Sequence, residues 1–179
     1  MDAQTLREGI FALNTRRFGS VTEVMIKRLG KLQDGRNQFH DLYDDIKRHR
    51  VEVKFSVVSK KAKMPVREDN VLQCIEQAID QNRMVPLARW REFEFDCNIQ
   101  QVKRAEFDVL YYGLFFSDKV LIFSIESGEI GPQIYYSDKQ HKGNVGEGQF
   151  HLNQDTLQIH LDRYLYKELT YEELLELLS

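Results

Sequence analysis

Two acids and a lysine lying close together give the first chemical signal. In Val51-Glu52-Val53-Lys54-Phe55-Ser56 apolar and polar residues alternate. This is the period of a half-buried strand, so Glu52 and Lys54 share one face. Upstream, Tyr43-Asp44-Asp45-Ile46 reads as a partner strand, joined through a tight basic turn. A turn centred on Arg48 and His49 sets Asp45 across from Glu52, and one residue more in the turn sets Asp44 there instead. Carboxylates that face each other across a strand pair repel. A divalent cation between them removes that penalty, and an oxygen-only site suits Mg²⁺, which takes one or two protein carboxylates and fills its other positions with water and phosphate oxygens. The lysine beside them can hold or deprotonate an attacking water. A hairpin with a charged wet face needs no metal, so the pattern gains weight only from its surroundings.

An Asp, a short gap and then Glu-x-Lys on a strand with apolar neighbours resembles the PD-(D/E)xK nuclease superfamily, which includes small type II restriction endonucleases. The resemblance is carried by the first third of the chain and extends more loosely over the rest. It favours Asp45 over Asp44, because an apolar residue follows the family's Asp and Ile46 does so here. Where the family has a proline before that Asp, this chain has Asp44. The resemblance implies Mg²⁺ held by Asp45 and Glu52, with Lys54 positioning the water. A helix before the first catalytic strand often brings a further acid in this superfamily, and Glu23 is the acid on the matching helix. Glu23 has a structural reading as well: Ser20-Val21-Thr22-Glu23 is a capping box, with Ser20 as N-cap. Gln100, Gln101 and Lys103 resemble the family's supporting segment near the scissile phosphate, and Gln101 is taken as its catalytic member.

The elements that must position these groups follow from periodicity. Residues 3–14 and the stretch from Ser20 to Gly30 or Gly35 read as helices, the first with Leu6, Ile10, Phe11 and Leu13 inward. A polar connection over 36–42 places His40 in solvent. Residues 69–83 read as a helix capped by Asp69, with Val71, Leu72, Ile75 and Ile79 inward. From Trp90 the period becomes two, with Phe93, Phe95, Cys97 and Ile99 on one side. Two further strands, over 107–116 and 120–125, form a hairpin about Ser117-Asp118-Lys119. Residues 156–168 are helix-like, and Thr170-Tyr171-Glu172-Glu173 is a second capping box opening a last helix through Leu178. The expected fold is α/β: a restriction-endonuclease-like core with a central mixed β-sheet flanked by helices. It forms a single nuclease domain over 1–179, with the catalytic core over about 20–125 and C-terminal helices over 156–178.

Length and composition suit one ordinary globular domain of 179 residues. No apolar run approaches the roughly 20 residues of a membrane helix, and no secretory signal opens the chain, so no membrane partner is expected. Cys74 and Cys97 match no zinc spacing and read as buried free thiols. A cytoplasmic protein is expected. The net charge of −3 does not favour a non-specific coat on nucleic acid. Its distribution does suit phosphate: from Lys47 to Lys63 there are seven Lys or Arg and one acid, Glu52. Lys60, Lys61, Lys63 and Lys103 are therefore candidate DNA contacts. The glycine-punctuated stretch 137–151 is dense in side chains that bond base edges, and Lys139, Gln140, His141, Lys142, Asn144 and Gln149 are its candidates for sequence reading.

The resemblance thus implies a type II restriction endonuclease: Mg²⁺-dependent hydrolysis of double-stranded DNA at a short site, by a homodimer if the site is palindromic, with a cognate DNA methyltransferase in the same system. A structure-specific nuclease (junction resolvase or repair enzyme) and a non-catalytic DNA-binding module are the alternatives. No glycine-rich nucleotide-binding turn and no nucleophile elbow is visible.

Overall fold

A computed structural model describes residues 1–37, 39–61, 64–139 and 146–179. A central mixed sheet is flanked by helices. Its strands are β1 (Gln33–Asp34), β2 (Leu42–Asp44), β3 (His49–Val57), β5 (Val109–Phe115), β6 (Lys119–Glu126) and β8 (Leu165–Thr170), in the order β1-β2-β3-β5-β6-β8. Among the described residues only β3 and β5 run parallel; the other pairs of this sheet are antiparallel. A parallel pair needs a long crossover. Here it carries the short helices α3 (Val71–Gln77) and α4 (Asp80–Arg83) and the strand β4 (Asp96–Val102). β4 pairs with β7 (Gly148–Asn153) in a separate two-stranded antiparallel ribbon.

Each face of the sheet carries its own core. On one face α1 (Ala3–Ala12), α2 (Thr15–Gly30) and α6 (Tyr171–Leu178) pack Ile10, Phe18, Met25, Ile26 and Leu174 against Val51, Val53, Phe115 and Ile122. On the other, the ribbon, Trp90 and α5 (Leu157–Arg163) cover Leu110, Tyr112, Leu114 and Phe123. Fully burying such a side chain contributes about 1.5–3 kcal/mol, so these two layers outweigh any single surface ion pair. β5 and β6 sit so close that a Cβ on Gly113 would meet Leu121 O at 2.1 Å and the Phe55 ring at 2.4 Å, and only glycine fits there.

Several expectations from sequence are corrected. The second helix begins at Thr15, with Asn14 as N-cap accepting from Arg17 N at 3.1 Å. Ser20 lies inside it, and its hydroxyl turns back to Arg16 O. The Ser20–Glu23 capping box therefore does not form, because Gly19 does not interrupt a helix whose apolar stripe continues on both sides. The 69–83 segment is two short helices, and the stripe expected inward is exposed: Leu72 is 78% and Ile75 60% accessible. Asn70, not Asp69, holds the N-cap position. His40 is buried rather than solvated, and its Nε2 accepts from Arg36 N at 3.4 Å. Cys97 is buried as expected, whereas Cys74 is only half-buried. Residues 156–168 do not form one helix; Leu165–Thr170 is strand β8, an edge strand on β6. The capping box at Thr170 and Glu173 is formed in both directions. No helix among the described residues is long and apolar enough to cross a membrane.

Candidate active site

The β2–β3 hairpin sets which acid meets Glu52. Its turn spans Asp45–Arg48, and Arg48 takes a left-handed backbone (φ 59°). The pairs are Asp44↔His49, Tyr43↔Arg50 and Leu42↔Val51. Continuing that register by one residue brings Asp41 opposite Glu52. Neither expected acid is there. Asp44 Oδ1 accepts the backbone N–H groups of Ile46 (2.9 Å) and Lys47 (3.0 Å) and so builds the turn. Asp45 is ion-paired with Arg36 at 2.6 Å, and that guanidinium lies over the Tyr43 ring. Asp45, expected across from Glu52, is thus displaced and Asp41 takes that place: the turn is longer than a tight hairpin, and each added residue displaces the register.

Asp41, Glu52 and Lys54 form one cluster. Asp41 Oδ2 accepts from Val53 N at 2.9 Å and lies 3.9 Å from Lys54 Nζ. Lys54 Nζ is in direct contact with Glu52 Oε1. The Glu52 side chain is 13% accessible and that of Lys54 26%. In the β3–β5 register Glu52 lies beside Leu110 and Lys54 beside Tyr112. Both therefore project on the face against which the β4–β7 ribbon packs.

Glu23 joins the cluster from α2. Burial raises its pKa first and the charge of Asp41 raises it further, while Lys54 opposes both. Freed of any capping role, this carboxylate is felt electrostatically by Asp41 and Lys54. Glu52 is also raised: burial dominates, Lys54 only partly offsets it, and Asp41 and Glu106 add repulsion. Burial alone would lower Lys54, but Glu52, Asp41 and Glu23 together outweigh it and raise its pKa. Lys54 is thus held as an ammonium. Three carboxylates share one cation, and the excess negative charge sits where water is partly excluded.

Such a cluster suits a hard cation. Among the described residues no group of three or more His, Cys, Asp and Glu side chains is placed to hold a metal ion. One or two carboxylates, with water and phosphate oxygens in the other positions, is the arrangement Mg²⁺ takes. The raised pKa values of Glu23 and Glu52 are what a nearby cation would reverse.

The remaining candidates divide. Gln101 is exposed at a bulge in β4 with φ 59°, and it makes no hydrogen bond to the cluster among the described residues. Lys103 lies 3.6 Å from Glu106, whose charge acts on Glu52, and 3.7 Å from Glu147. Lys60 donates to Asn82 O at 3.1 Å and lies over the Phe93 ring, away from the carboxylates. Lys61 lies 3.6 Å from Asp96 at the start of β4. Lys139 is exposed beside β7, and Gln149 is a β7 residue bonded to Asn98. Lys63, Gln140, His141, Lys142 and Asn144 lie outside the described residues. Sequence reasoning missed Asp41 and Glu106. Asp41 was visible only to a turn of four residues, and Glu106 carried no signal.

No protein-family model, curated protein or solved structure matches the chain.

Proposed function

We propose that the chain is a Mg²⁺-dependent endodeoxyribonuclease of the PD-(D/E)xK type, acting on double-stranded DNA as a type II restriction endonuclease does. The observation that carries this reading is the cluster itself: Glu52 and Lys54 side by side on β3, Asp41 within 3.9 Å of the lysine, and Glu23 approaching from α2. The restriction-endonuclease-like topology belongs to the same proposal and is compatible with the mixed sheet and its flanking helices.

In this reading Asp41 and Glu52 would hold Mg²⁺, which would supply Lewis-acid chemistry at the scissile phosphate and the attacking water. Lys54, kept protonated by its three carboxylates, donates to the attacking water or to a phosphate oxygen and offsets the charge that develops on phosphorus. Glu23 adds negative charge near Asp41 and Lys54 and helps hold the ammonium in place. Asp41 is itself fixed by the Val53 N–H, so its carboxylate needs little reorganisation when substrate arrives. Exposed Lys61 and Lys139 and the half-buried Lys103 supply phosphate contacts. A palindromic site calls for a homodimer, and a methyltransferase of the same specificity would protect the host genome.

The test is incubation with unmethylated phage DNA, with Mg²⁺ and with EDTA, alongside Glu52→Ala and Lys54→Ala proteins. Discrete fragments that require Mg²⁺, Glu52 and Lys54 are expected. Cleavage that survives Lys54→Ala sinks the site assignment, and cleavage confined to branched DNA replaces the restriction reading by a structure-specific nuclease. Binding without cleavage under every condition leaves a DNA-binding module.

A further inference from the structure

The β4–β7 ribbon has a face that the carboxylate cluster does not explain. Its inner side sends Ile99, Phe150 and Leu152 into the core. Its outer side carries Asp96, Asn98 and Gln100 on β4, paired with Asn153, His151 and Gln149 on β7. Solvated strand positions favour Thr and other β-branched or aromatic residues, and Asn and Asp are disfavoured there. Here every outer position of the three pairs is an amide, a carboxylate or an imidazole. Strand stability does not select such a set.

The side chains are also arranged among themselves. Asn98 Nδ2 donates to Gln149 Oε1 at 2.9 Å. Asn98 Oδ1 is screened from solvent and has no hydrogen-bond partner, a cost that a purely structural amide pair would avoid. His151 Nδ1 and Asp96 Oδ1 are 2.7 Å apart, which fixes the ring and leaves Nε2 for another partner. Asn153 is different: its Oδ1 accepts from Asp155 N and Thr156 N, so it is spent on the turn before α5. Cations flank this polar face rather than occupy it. Lys61 is at its Asp96 end. Lys103 follows Val102 at the other end, and Lys139 lies beyond Ser137, which pairs with Gln149.

We infer that the outer face of the β4–β7 ribbon reads base edges in the major groove of duplex DNA, through Gln100, Gln149 and His151, with Asn98 positioning the Gln149 amide and Asp96 the imidazole. The major groove admits a two-stranded ribbon, and Asn or Gln pairs bidentately with the N6 and N7 of adenine. Seven residues of strand extend roughly 20 Å, about the length of six base-pair steps. Lysines at the two ends then meet phosphates while the amides meet bases. The bulge at Gln101 adds one exposed amide at the end nearer the catalytic cluster, where Lys103 and Glu106 lead back toward Glu52. Among the described residues no Lys or Arg stands at the paired outer positions of the ribbon, so those positions favour the amide–adenine contact and the preference expected of them is for A·T pairs.

This inference rests on the nuclease reading, and its test separates the two. Full-length wild type and an Asn98→Ala/Gln149→Ala double variant are each mixed with a pool of random duplex DNA in EDTA, and the retained duplexes are sequenced. The same proteins are then given unmethylated phage DNA with Mg²⁺. The wild type is expected to enrich a short A·T-containing sequence. The variant should lose that preference by roughly tenfold or more while keeping salt-sensitive binding to any duplex. If the double variant does not fold, as judged by circular dichroism, Gln100→Ala, an exposed position, carries the same test. A variant that enriches the wild-type sequence at wild-type affinity overturns the inference. Wild-type cleavage without any enriched sequence also overturns it and leaves the nuclease standing. Enrichment that depends on Asn98 and Gln149 without cleavage supports the ribbon and removes the nuclease. A wild type that neither binds nor cuts duplex DNA overturns both.

Discussion

Asp41 Oδ2 lies 3.9 Å from Lys54 Nζ while it accepts the backbone N–H of Val53, so one carboxylate both ties down β3 and faces its lysine. Asp45 is turned toward Arg36 instead. The two acids therefore predict opposite results. Asp41→Asn should abolish cleavage of duplex DNA on the scale of losing a transition-state contact, roughly 10²-fold or more. Asp45→Asn should leave the rate within a few fold, because it removes only an exposed ion pair. Initial rates of plasmid cleavage under matched Mg²⁺ decide between them, and a larger loss for Asp45→Asn would return the metal to the hairpin turn.

Glu23 leads to a prediction about stability. Its pKa is raised by burial and by Asp41. A carboxyl whose folded pKa exceeds its unfolded value is destabilising when ionised, so it weakens the fold at neutral pH and relaxes as pH falls. Glu23→Gln removes that charge without changing shape. The unfolding temperature at pH 7 should rise by a few degrees, and the gap between variant and wild type should close on acidification. Cleavage should fall at the same time, the usual exchange between stability and a strained site. An unchanged or lower unfolding temperature would mean that the carboxylate is already compensated within the fold.

The contrast between Asp41 and Glu23 shows what the sequence could convey. Alternation identified Glu52 and Lys54 as neighbours on one face, because period two is a local property of the strand. The partner acid depends on turn length, and Asp-Asp-Ile-Lys-Arg-His contains no glycine or Asn-Gly pair to announce it. Arg48 adopts the left-handed backbone with no sequence signal. Glu23 looked like a cap because Ser20 precedes it at capping spacing, yet Asn14 had already opened the helix. The α3 stripe had helical spacing, yet Leu72 and Ile75 stay exposed. Pattern shows which residues are amphipathic, and tertiary contacts decide whether the apolar side is covered.

His160 makes stability depend on pH in the mildly acidic range. It is fully buried, packs on Phe150 and shares a 2.7 Å hydrogen bond with Tyr112. Burial lowers its pKa from 6.5 to about 4. The folded chain therefore keeps it neutral while the unfolded chain binds a proton. Its contribution is fully present above about pH 6.5 and is lost as pH falls toward about 4, a change on the order of 3 kcal/mol. Urea denaturation between these limits should show stability rising with pH, and His160→Gln should flatten that slope. A slope that persists unchanged in the variant would place the titrating group elsewhere.

Arg50 and Asp108 predict a second acid transition at lower pH. Asp108 Oδ2 accepts from both the backbone N and Nε of Arg50, and Oδ1 accepts from its Nη2 at 2.8 Å. Arg50 Nη1 also donates to Ala105 O. This fastens the start of β3 to the connection that carries Glu106. The Arg50 hydrogen bonds hold Asp108 well below its usual range, at about 2. A carboxylate with a depressed folded pKa stabilises the fold above its unfolded value, and that contribution disappears as pH falls from about 3.8 toward about 2. Both side chains are more than a third exposed, 39% and 37%, so solvent screening limits the ionic part to about 1 kcal/mol or less. Asp108→Asn should thus cost little at pH 7 yet remove the acid-dependent step below about pH 4, while His160→Gln leaves that step intact. Parallel acid titrations of the two variants, followed by tryptophan fluorescence from the buried Trp90, resolve the two transitions. Loss of both steps in a single variant would show that they report one event and not two.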